Sequence, residues 1–199
     1  MLVVTGGVHG DEPSGTAALA PLAAGGITTF GPCNPWGLAR GRRTLEDGRD
    51  LNRCFARADC AEATRVRTFL VEHRPTLLLD LHEDRGADAP YIIQYGPHDD
   101  LGARIVAQLS ARQARFEARP RFGPVKGERG VLRPSSFWLG LVGVSRQWPL
   151  VYWAHRTFGV TACVIEVPGA WSLDRRVSMH LEIVRTARAQ AWRGCAGGR

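Results

Sequence analysis

Several features that would place a chain in a special class of proteins are missing from this sequence. No apolar run approaches the ~20 residues that a membrane-spanning helix needs, and there are no internal repeats. The first residues run into a glycine-rich turn without the basic and apolar segments of a secretion signal. We therefore expect no membrane partner.

Cysteine is sparse and is not arranged in metal-binding pairs. The five cysteines are an odd number and include no Cys-x-x-Cys spacing. This pattern favours reduced thiols in a cytoplasmic protein over a disulfide scaffold or a structural zinc site. They stand at positions 33, 54, 60, 163 and 195.

Lysine is almost absent, and Lys126 is the only one among 26 basic residues. The formal net charge of +7 therefore comes from arginine. The arginines are scattered and no basic run is interleaved with aromatic residues, so we expect no nucleic-acid partner. Two interpretations of the charge stay open: a positive field that favours acidic substrates, and a compositional bias without function.

The length of 199 residues suits one domain, which we place at residues 1–193, followed by a disordered tail at 194–199. Strand and helix patterns alternate, which predicts an α/β fold. Residues 38–55 are expected to form an ordered loop, and 118–148 loop and short strand. The predicted helices cover 13–25, 60–73, 99–117, 149–158 and 172–192. The predicted strands are the β-branched run that begins at Val3, and residues 26–30, 77–82, 91–95 and 160–167.

Two predicted strands each end on side chains that bind metals. His9 and Glu12 follow a β-branched run and a glycine-rich turn, and His82 ends the apolar run that starts at Leu77. Ligand sites of open α/β sheets lie at the carboxyl ends of strands. A catalytic zinc takes three protein ligands and keeps one open position. These three residues are therefore candidate ligands, although each alone also suits a structural role, and the set would accept cobalt or nickel.

Glu166 interrupts another predicted apolar strand, at residues 160–167. A buried carboxylate without a partner is unfavourable, so this residue needs an explanation. One explanation is a salt bridge to one of the arginines. The other is a general base beside a metal-bound water, where burial moves the pKa of the carboxyl towards neutrality.

The middle of the chain carries a longer motif. It runs Asn34-Pro35-Trp36-Gly37, then Arg42-Arg43, then Gly48-Arg49-Asp50-Leu51-Asn52-Arg53. This pattern resembles that of the zinc carboxypeptidases and their murein peptide amidase relatives. The Gly-x-His-Gly-Asp-Glu opening and the Asp-Leu-His segment also resemble the succinylglutamate desuccinylase and aspartoacylase branch. The matched motifs cover residues 3–15, 34–55, 77–84 and 162–169.

The resemblance implies a three-layer α/β/α fold with a mixed, mostly parallel central sheet. It also implies the site: one zinc ion on His9, Glu12 and His82; Arg43 polarising the scissile carbonyl; Asn52 and Arg53 binding the substrate carboxylate; Glu166 as the catalytic glutamate; and Asp50 holding His9 through its outer nitrogen. Arg42 competes for the role of Arg43, and only the ungapped spacing favours the latter.

Three positions depart from the family pattern or stay open. The family's peptidases carry a tyrosine near the substrate, and the available Tyr152 lies in a predicted helix, so that role stays unassigned. Glu83 and Asp84 follow His82 where many relatives have small or hydroxyl residues. They either bind a cationic substrate group or are simply solvated.

The sequence thus predicts a zinc hydrolase that cleaves an amide bond next to a free carboxylate in a peptide or small molecule. A carboxypeptidase or murein-peptide-type amidopeptidase is the first expectation. An N-acyl amino acid deacylase of the desuccinylase or aspartoacylase kind needs the same residues. The alternative of another class is a non-catalytic binding protein on the same fold.

Overall fold

The computed structural model describes residues 1–97 and 100–196, and strands and helices alternate along much of this length. The strands are β1 (Leu2–Gly6), β2 (Thr28–Phe30), β3 (Leu77–Asp84), β4 (Tyr91–Tyr95), β5 (Arg121–Phe122), β6 (Val125–Lys126), β7 (Val131–Leu132) and β8 (Thr161–Pro168). The helices are α1 (Pro13–Ala24), α2 (Pro35–Arg40), α3 (Ala61–His73), α4 (Leu101–Ser110), α5 (Ser136–Ser145), α6 (Leu150–Phe158) and α7 (Leu173–Ala196).

Six of the strands form one sheet in the order β2-β1-β3-β8-β4-β7. Neighbouring strands run parallel except β4, which is antiparallel to β8. β3 pairs with β1 on one side and with β8 on the other. β5 and β6 form a separate antiparallel hairpin. The predicted mixed, mostly parallel sheet is confirmed.

Helices cover both faces of this sheet. On one face, α3 and α6 bury Val66 and Val151 in a core that includes Leu78 of β3. On the other, α1, α4 and α7 contribute to a core that includes Leu79 and Ile183. Successive side chains of a strand point to opposite faces, so β3 supplies both cores. The arrangement confirms the predicted three-layer α/β/α fold.

The stretch expected to be one ordered loop, 38–55, contains more regular structure than predicted. α2 begins before it and extends into it, and a 3₁₀ turn covers Leu51–Arg53. Asn34 caps α2, because its Oδ1 atom accepts a hydrogen bond from the N–H of Gly37 at 2.9 Å. Pro35 takes the first helical position, where its missing N–H does no harm.

The largest departure lies in residues 118–148. β5, β6 and β7 are short strands of the kind expected, but the apolar run that follows forms α5 rather than loop or strand. Ser135 caps this helix by accepting a hydrogen bond from the N–H of Trp138 at 3.3 Å. Phe137 and Val144 remain 76% and 86% exposed, so α5 lacks the polar outer face by which surface helices are recognised.

Two predicted helix ends also differ from the structure. α4 ends at Ser110 instead of Glu117, and its expected first residue, Asp99, lies outside the described residues. α7 continues to Ala196, and positions 197–199 of the expected tail lie outside them as well. No helix in the described part of the chain has both the length and the apolar character to cross a membrane.

Candidate metal centre and active site

Four predicted site residues lie at the carboxyl edge of three adjacent parallel strands. β1 leads into the turn that carries His9 and Glu12, β3 carries His82, and β8 carries Glu166. His82 and Glu166 are direct partners in the register of β3 and β8. The sheet therefore brings together residues that are far apart in sequence.

His9, Glu12 and His82 form a buried cluster around one carboxylate. Nδ1 of His9 lies 2.7 Å from Oε1 of Glu12, and Nδ1 of His82 lies 2.8 Å from Oε2. The candidate ligand atoms of all three residues lie within 4.8 Å of one another. Two imidazole nitrogens and one carboxylate oxygen are a donor set that catalytic zinc sites use. The cluster fits a single metal ion.

The outer nitrogens of both imidazoles contact carboxylates. Nε2 of His9 lies 3.2 Å from Oδ1 of Asp50, and Nε2 of His82 lies 2.8 Å from Oδ2 of Asp80. A carboxylate at this place fixes the tautomer in which the other ring nitrogen is free to bind a metal. Both histidines can therefore present Nδ1 to the same point.

Asp80 is a site residue that sequence reasoning missed. It is fully buried, and its Oδ1 atom accepts a hydrogen bond from the hydroxyl of Thr5 at 2.7 Å. The available signal was its spacing from His82, since side chains two residues apart on a strand point to the same face. A buried acid on the face of a candidate ligand indicates a partner for that ligand.

Charges within the cluster stabilise one another. Burial alone would raise the pKa of Glu12, but His82 and His9 hold the pKa of this carboxyl well below its ordinary value. Burial opposes protonation of the imidazoles, yet Asp80 and Glu12 raise the pKa of His82, and Asp50 and Glu12 raise that of His9. The imidazoles and the buried carboxylates thus favour each other's charged forms, and a metal cation would supply positive charge from the centre of the cluster.

Glu166 is buried beside this cluster. Its Oε2 atom has no hydrogen-bond partner, and no arginine lies within ion-pair distance of it, among the described residues. Burial raises the pKa of Glu166 to about 8; Glu12 and Asp84 act in the same direction, while His82 and His9 oppose them. Glu166 can therefore gain and lose a proton near neutral pH.

Arg43 and Arg42 differ clearly in position. Nη1 of Arg43 lies 3.0 Å from Oε1 of Glu12, and Nη2 lies 3.5 Å from Oδ2 of Asp50. The Arg43 side chain is 47% exposed and lines the cavity described below. Arg42 is exposed and is not among the lining residues of this cavity. Of the two arginines, Arg43 is therefore the one whose guanidinium reaches the candidate metal centre.

Asn52 and Arg53 belong to the 3₁₀ turn and line the same cavity. Oδ1 of Asp50 accepts the N–H of Asn52 at 2.8 Å and so caps the turn. Oδ1 of Asn52 accepts the N–H of Leu150 at 2.9 Å, and Nη1 of Arg53 donates to the backbone oxygen of Asn52 at 2.8 Å. Because Asp50 also contacts His9, the turn keeps a fixed relation to the cluster.

These residues surround a cavity of about 450 Å³. Tyr91, Ile93 and Tyr95 of β4 form another part of its wall, with Arg121 and Phe122 of the β5–β6 hairpin. A volume of this size suits a small ligand or a few residues of a peptide.

Tyr152, the tyrosine without a role in the sequence interpretation, is not part of this wall. Its hydroxyl donates to the backbone oxygen of Leu139 in α5 at 3.0 Å. Tyr91 lies at the site instead: it is the register partner of Glu166, and its hydroxyl donates to Oδ2 of Asp84 at 2.6 Å. The antiparallel pairing of β4 with β8 places it there, and no motif in the sequence indicates this pairing.

Glu83 and Asp84 have different surroundings. The interpretation of both as solvated is wrong for Glu83, which is buried, accepts the N–H of Ser14 at 2.8 Å and forms an ion pair with Arg176. Both residues line the cavity, and Asp84 accepts the hydroxyl hydrogen of Tyr91.

The N-terminal part of the chain matches one protein family. Residues 1–119 match the model of the succinylglutamate desuccinylase/aspartoacylase catalytic domain. This range holds every predicted site residue except Glu166. No match was found among curated proteins.

Solved structures with a similar fold include proposed metallopeptidases of Shewanella. The protein from Shewanella denitrificans has a TM-score of 0.76 at 18% identity, covering 95% of this chain and 74% of that one. The protein from Shewanella amazonensis has a TM-score of 0.74 at 20% identity, covering 94% and 75%. At these identities the comparison shows the fold.

A third similar structure is Csd4 of Helicobacter pylori, a D,L-carboxypeptidase determined in an mDAP-bound form. Its TM-score is 0.68 at 16% identity. The match covers 95% of this chain and 50% of Csd4, so this chain spans half the length of that protein.

Proposed function

The chain belongs to the succinylglutamate desuccinylase/aspartoacylase family of hydrolases, and we propose that it is a zinc-dependent hydrolase of an amide bond next to a free carboxylate. The observation that carries this proposal is the buried cluster of His9, Glu12 and His82 with the unpaired carboxylate of Glu166 on the adjacent strand. We propose a peptide substrate first, as for a carboxypeptidase or murein-peptide-type amidopeptidase.

The proposed chemistry divides between the metal and Glu166. Zinc held by His9, Glu12 and His82 would supply Lewis acidity, which polarises a carbonyl and makes water acidic near pH 7. Glu166 would accept the proton of the attacking water and deliver it to the leaving amine. Its buried setting supports this role, since a general base works best when its pKa is near the working pH.

Two groups of residues would hold the substrate. Arg43 would donate to the carbonyl oxygen as negative charge develops there. Arg53 would bind the free carboxylate with two parallel hydrogen bonds, a geometry that lysine cannot provide. Asn52 would contribute beside it, and the hydrogen bond of its side chain to Leu150 supports a fixed orientation.

A second candidate is an N-acyl amino acid deacylase. The observation that favours it is the matched family itself, whose description names a desuccinylase and an aspartoacylase. The carboxylate-binding and metal-binding residues would be the same in both cases. The part of the cavity beyond Arg53 would decide between the two substrates.

A mass-spectrometric hydrolysis screen of the zinc-loaded protein tests the proposal. The panel holds peptides with a free carboxylate, a γ-glutamyl-diaminopimelate muropeptide, and N-succinyl and N-acetyl amino acids. We expect cleavage of the peptides, and cleavage only of the acyl amino acids would establish the deacylase instead.

Glu166→Gln is the variant to run beside the wild type. We expect it to retain zinc and to lose turnover by about 10²–10⁴-fold, the range for a removed general base. The control is Glu72→Gln, which makes the same change at an exposed position of α3 and should leave turnover unchanged. Undiminished turnover in Glu166→Gln would refute the general-base role. A wild-type protein that binds zinc and cleaves nothing would favour a binding protein.

A further inference from the structure

Three buried polar residues and one half-buried arginine connect β3, α1 and α7 next to the candidate metal centre. Oε1 of Glu83 accepts the N–H of Ser14 at 2.8 Å, and Oγ of Ser14 lies 3.2 Å from Nε2 of His180. Arg176, one helical turn before His180, donates from Nη1 to Oε2 of Glu83. We call these residues the Glu83 network, and none of them has a part in the chemistry proposed above.

The network supplies a helix cap that α1 does not supply for itself. Glu12 occupies the N-cap position, but its side chain makes no capping hydrogen bond, since its oxygens contact the two candidate histidine ligands. Pro13 has no N–H, so the N–H of Ser14 is the first donor of the helix that needs a partner. The carboxylate of Glu83 accepts it, and negative charge at a helix N-terminus is favourable.

Glu83 also contacts the candidate metal ligands through its backbone. Its N–H donates to Oε2 of Glu12 at 3.1 Å, and it directly follows His82 in β3. One residue thus touches the carboxylate ligand, adjoins an imidazole ligand and caps the helix that begins beside the carboxylate.

Arg176 makes this arrangement compatible with burial. The Glu83 side chain is 4% exposed, and an unpaired carboxylate there would be strongly unfavourable. The guanidinium of Arg176 neutralises the charge, while removing one member of such a buried pair leaves the other uncompensated. The cap and the ion pair therefore depend on each other.

We propose that Glu83 is a positioning residue that, paired with Arg176, holds Glu12 and His82 at metal-binding distance. This inference rests on the proposed metal site and names what keeps its ligands in place. Ligands that are already ordered lose less conformational freedom when the metal binds, which increases metal affinity.

The chain offers a matched control in Gln94 of β4. The Oε1 atom of this buried side chain accepts the N–H of Gly102 in the first turn of α4 at 2.8 Å. Gln94 thus caps α4 as Glu83 caps α1, with a side chain from a strand. Neither Gln94 nor Gly102 lines the cavity at the candidate metal centre. Gln94→Ala removes a cap of the same kind at a distance from the metal ligands.

The test compares zinc dissociation constants, measured by competition with a chromogenic chelator, for the wild type, Glu83→Ala, Glu83→Gln and Gln94→Ala. We expect Glu83→Ala to bind zinc at least about 10-fold more weakly and Gln94→Ala to stay within about twofold of the wild type. Glu83→Gln keeps the acceptor for Ser14 and loses the ion pair, so we expect an intermediate loss of about threefold. Urea unfolding in the presence of chelator reports the loss of stability of each variant.

Zinc binding by Glu83→Ala within about twofold of the wild type would overturn the proposal. The proposal would also be overturned if Glu83→Ala and Gln94→Ala lost zinc affinity equally at similar losses of stability, because a general loss of stability would then explain both results. If Glu83→Ala does not fold, Glu83→Gln decides, and wild-type zinc affinity in that variant overturns the proposal. If the wild type binds zinc but cleaves no substrate, the proposed hydrolase function is refuted. The zinc dissociation constants of the variants relative to the wild type would still test the role of Glu83.

Discussion

Arg43 is distinguished from its neighbour Arg42 by the contact of its guanidinium with Glu12. If Arg43 donates to the carbonyl oxygen in the transition state, Arg43→Ala should lower kcat by about 10²–10³-fold, the effect of removing one such donor. Steady-state kinetics measure this, with Arg42→Ala as the control of identical chemistry. A comparable loss in Arg42→Ala, or none in Arg43→Ala, would contradict the assignment.

At the scale of single residues, the sequence reveals those whose chemistry conflicts with their setting. Glu166 stands in an apolar run, and His9 and His82 follow apolar strands, so each demands an explanation. Asp80 and Glu83 were not predicted as partners, because what makes them important is a contact with a distant segment. A sequence pattern gives residue types and their spacing, but it does not show which distant residues come into contact in the fold.

At the scale of the elements, the first turn of α1 packs closely against the carboxyl end of β3. A Cβ on Gly15 would lie 2.7 Å from the carbonyl oxygen of Leu81 and 3.0 Å from its Cβ. Gly15→Ala must therefore displace the first turn of the helix, and we expect the free energy of unfolding to fall by about 1–3 kcal/mol, as for overpacking elsewhere. Urea denaturation measures the change.

The control for this substitution is Gly140→Ala in α5. An added Cβ there meets nothing within 4 Å. Because alanine is more favourable than glycine inside a helix, we expect the free energy of unfolding of this variant to rise by about 0.5–1 kcal/mol. Changes of the same sign in both variants would show that contact with Leu81 is not what decides the effect of Gly15→Ala.

His180 makes the packing of α7 sensitive to acid. Burial lowers the pKa of His180 from 6.5 to about 3, with His82 acting in the same direction. Between these values the unfolded chain binds a proton that the folded chain does not, so stability falls as the pH falls through this window. In His180→Gln the fall should be shallower by up to about 1.4 kcal/mol per pH unit.

Urea unfolding of both proteins from pH 4.5 to pH 7, in the presence of chelator, measures this slope. The expected result is two curves of stability against pH that converge as the pH falls. Parallel curves would mean that His180 does not titrate differently in the folded and unfolded chains.

Prediction of the elements succeeded where periodicity or a breaker marked them. Pro13 marks the start of α1 and Pro75 follows the end of α3, as predicted. The apolar runs of β3 and β8 were also identified as strands. α5 was missed because its residues are apolar on the exposed face as well as on the packed face. α2 is signalled by Asn34-Pro35, but six residues are too few for a period to show.

For the whole molecule, metal binding and folding are linked. An ion that binds only the folded chain stabilises it by about 2.7 kcal/mol at a free concentration 100 times its dissociation constant. For a chain of this size, that corresponds to a rise of roughly 5–10 °C in Tm. We expect thermal unfolding to shift by this amount when zinc is added to chelated protein, and His9→Ala to lose the response. An unchanged Tm at saturating zinc would contradict the metal site.

The order of the strands along the chain has a consequence for synthesis on the ribosome. All three candidate ligands lie within the first 82 residues, whereas Glu166 arrives with β8, which pairs with β3 only after the intervening segment has been made. Chains emerge and fold from the N-terminus. Glu166, the group proposed to accept the proton, is therefore synthesised after the three candidate ligands. During synthesis the chain can hold a metal ion before it contains the proposed general base.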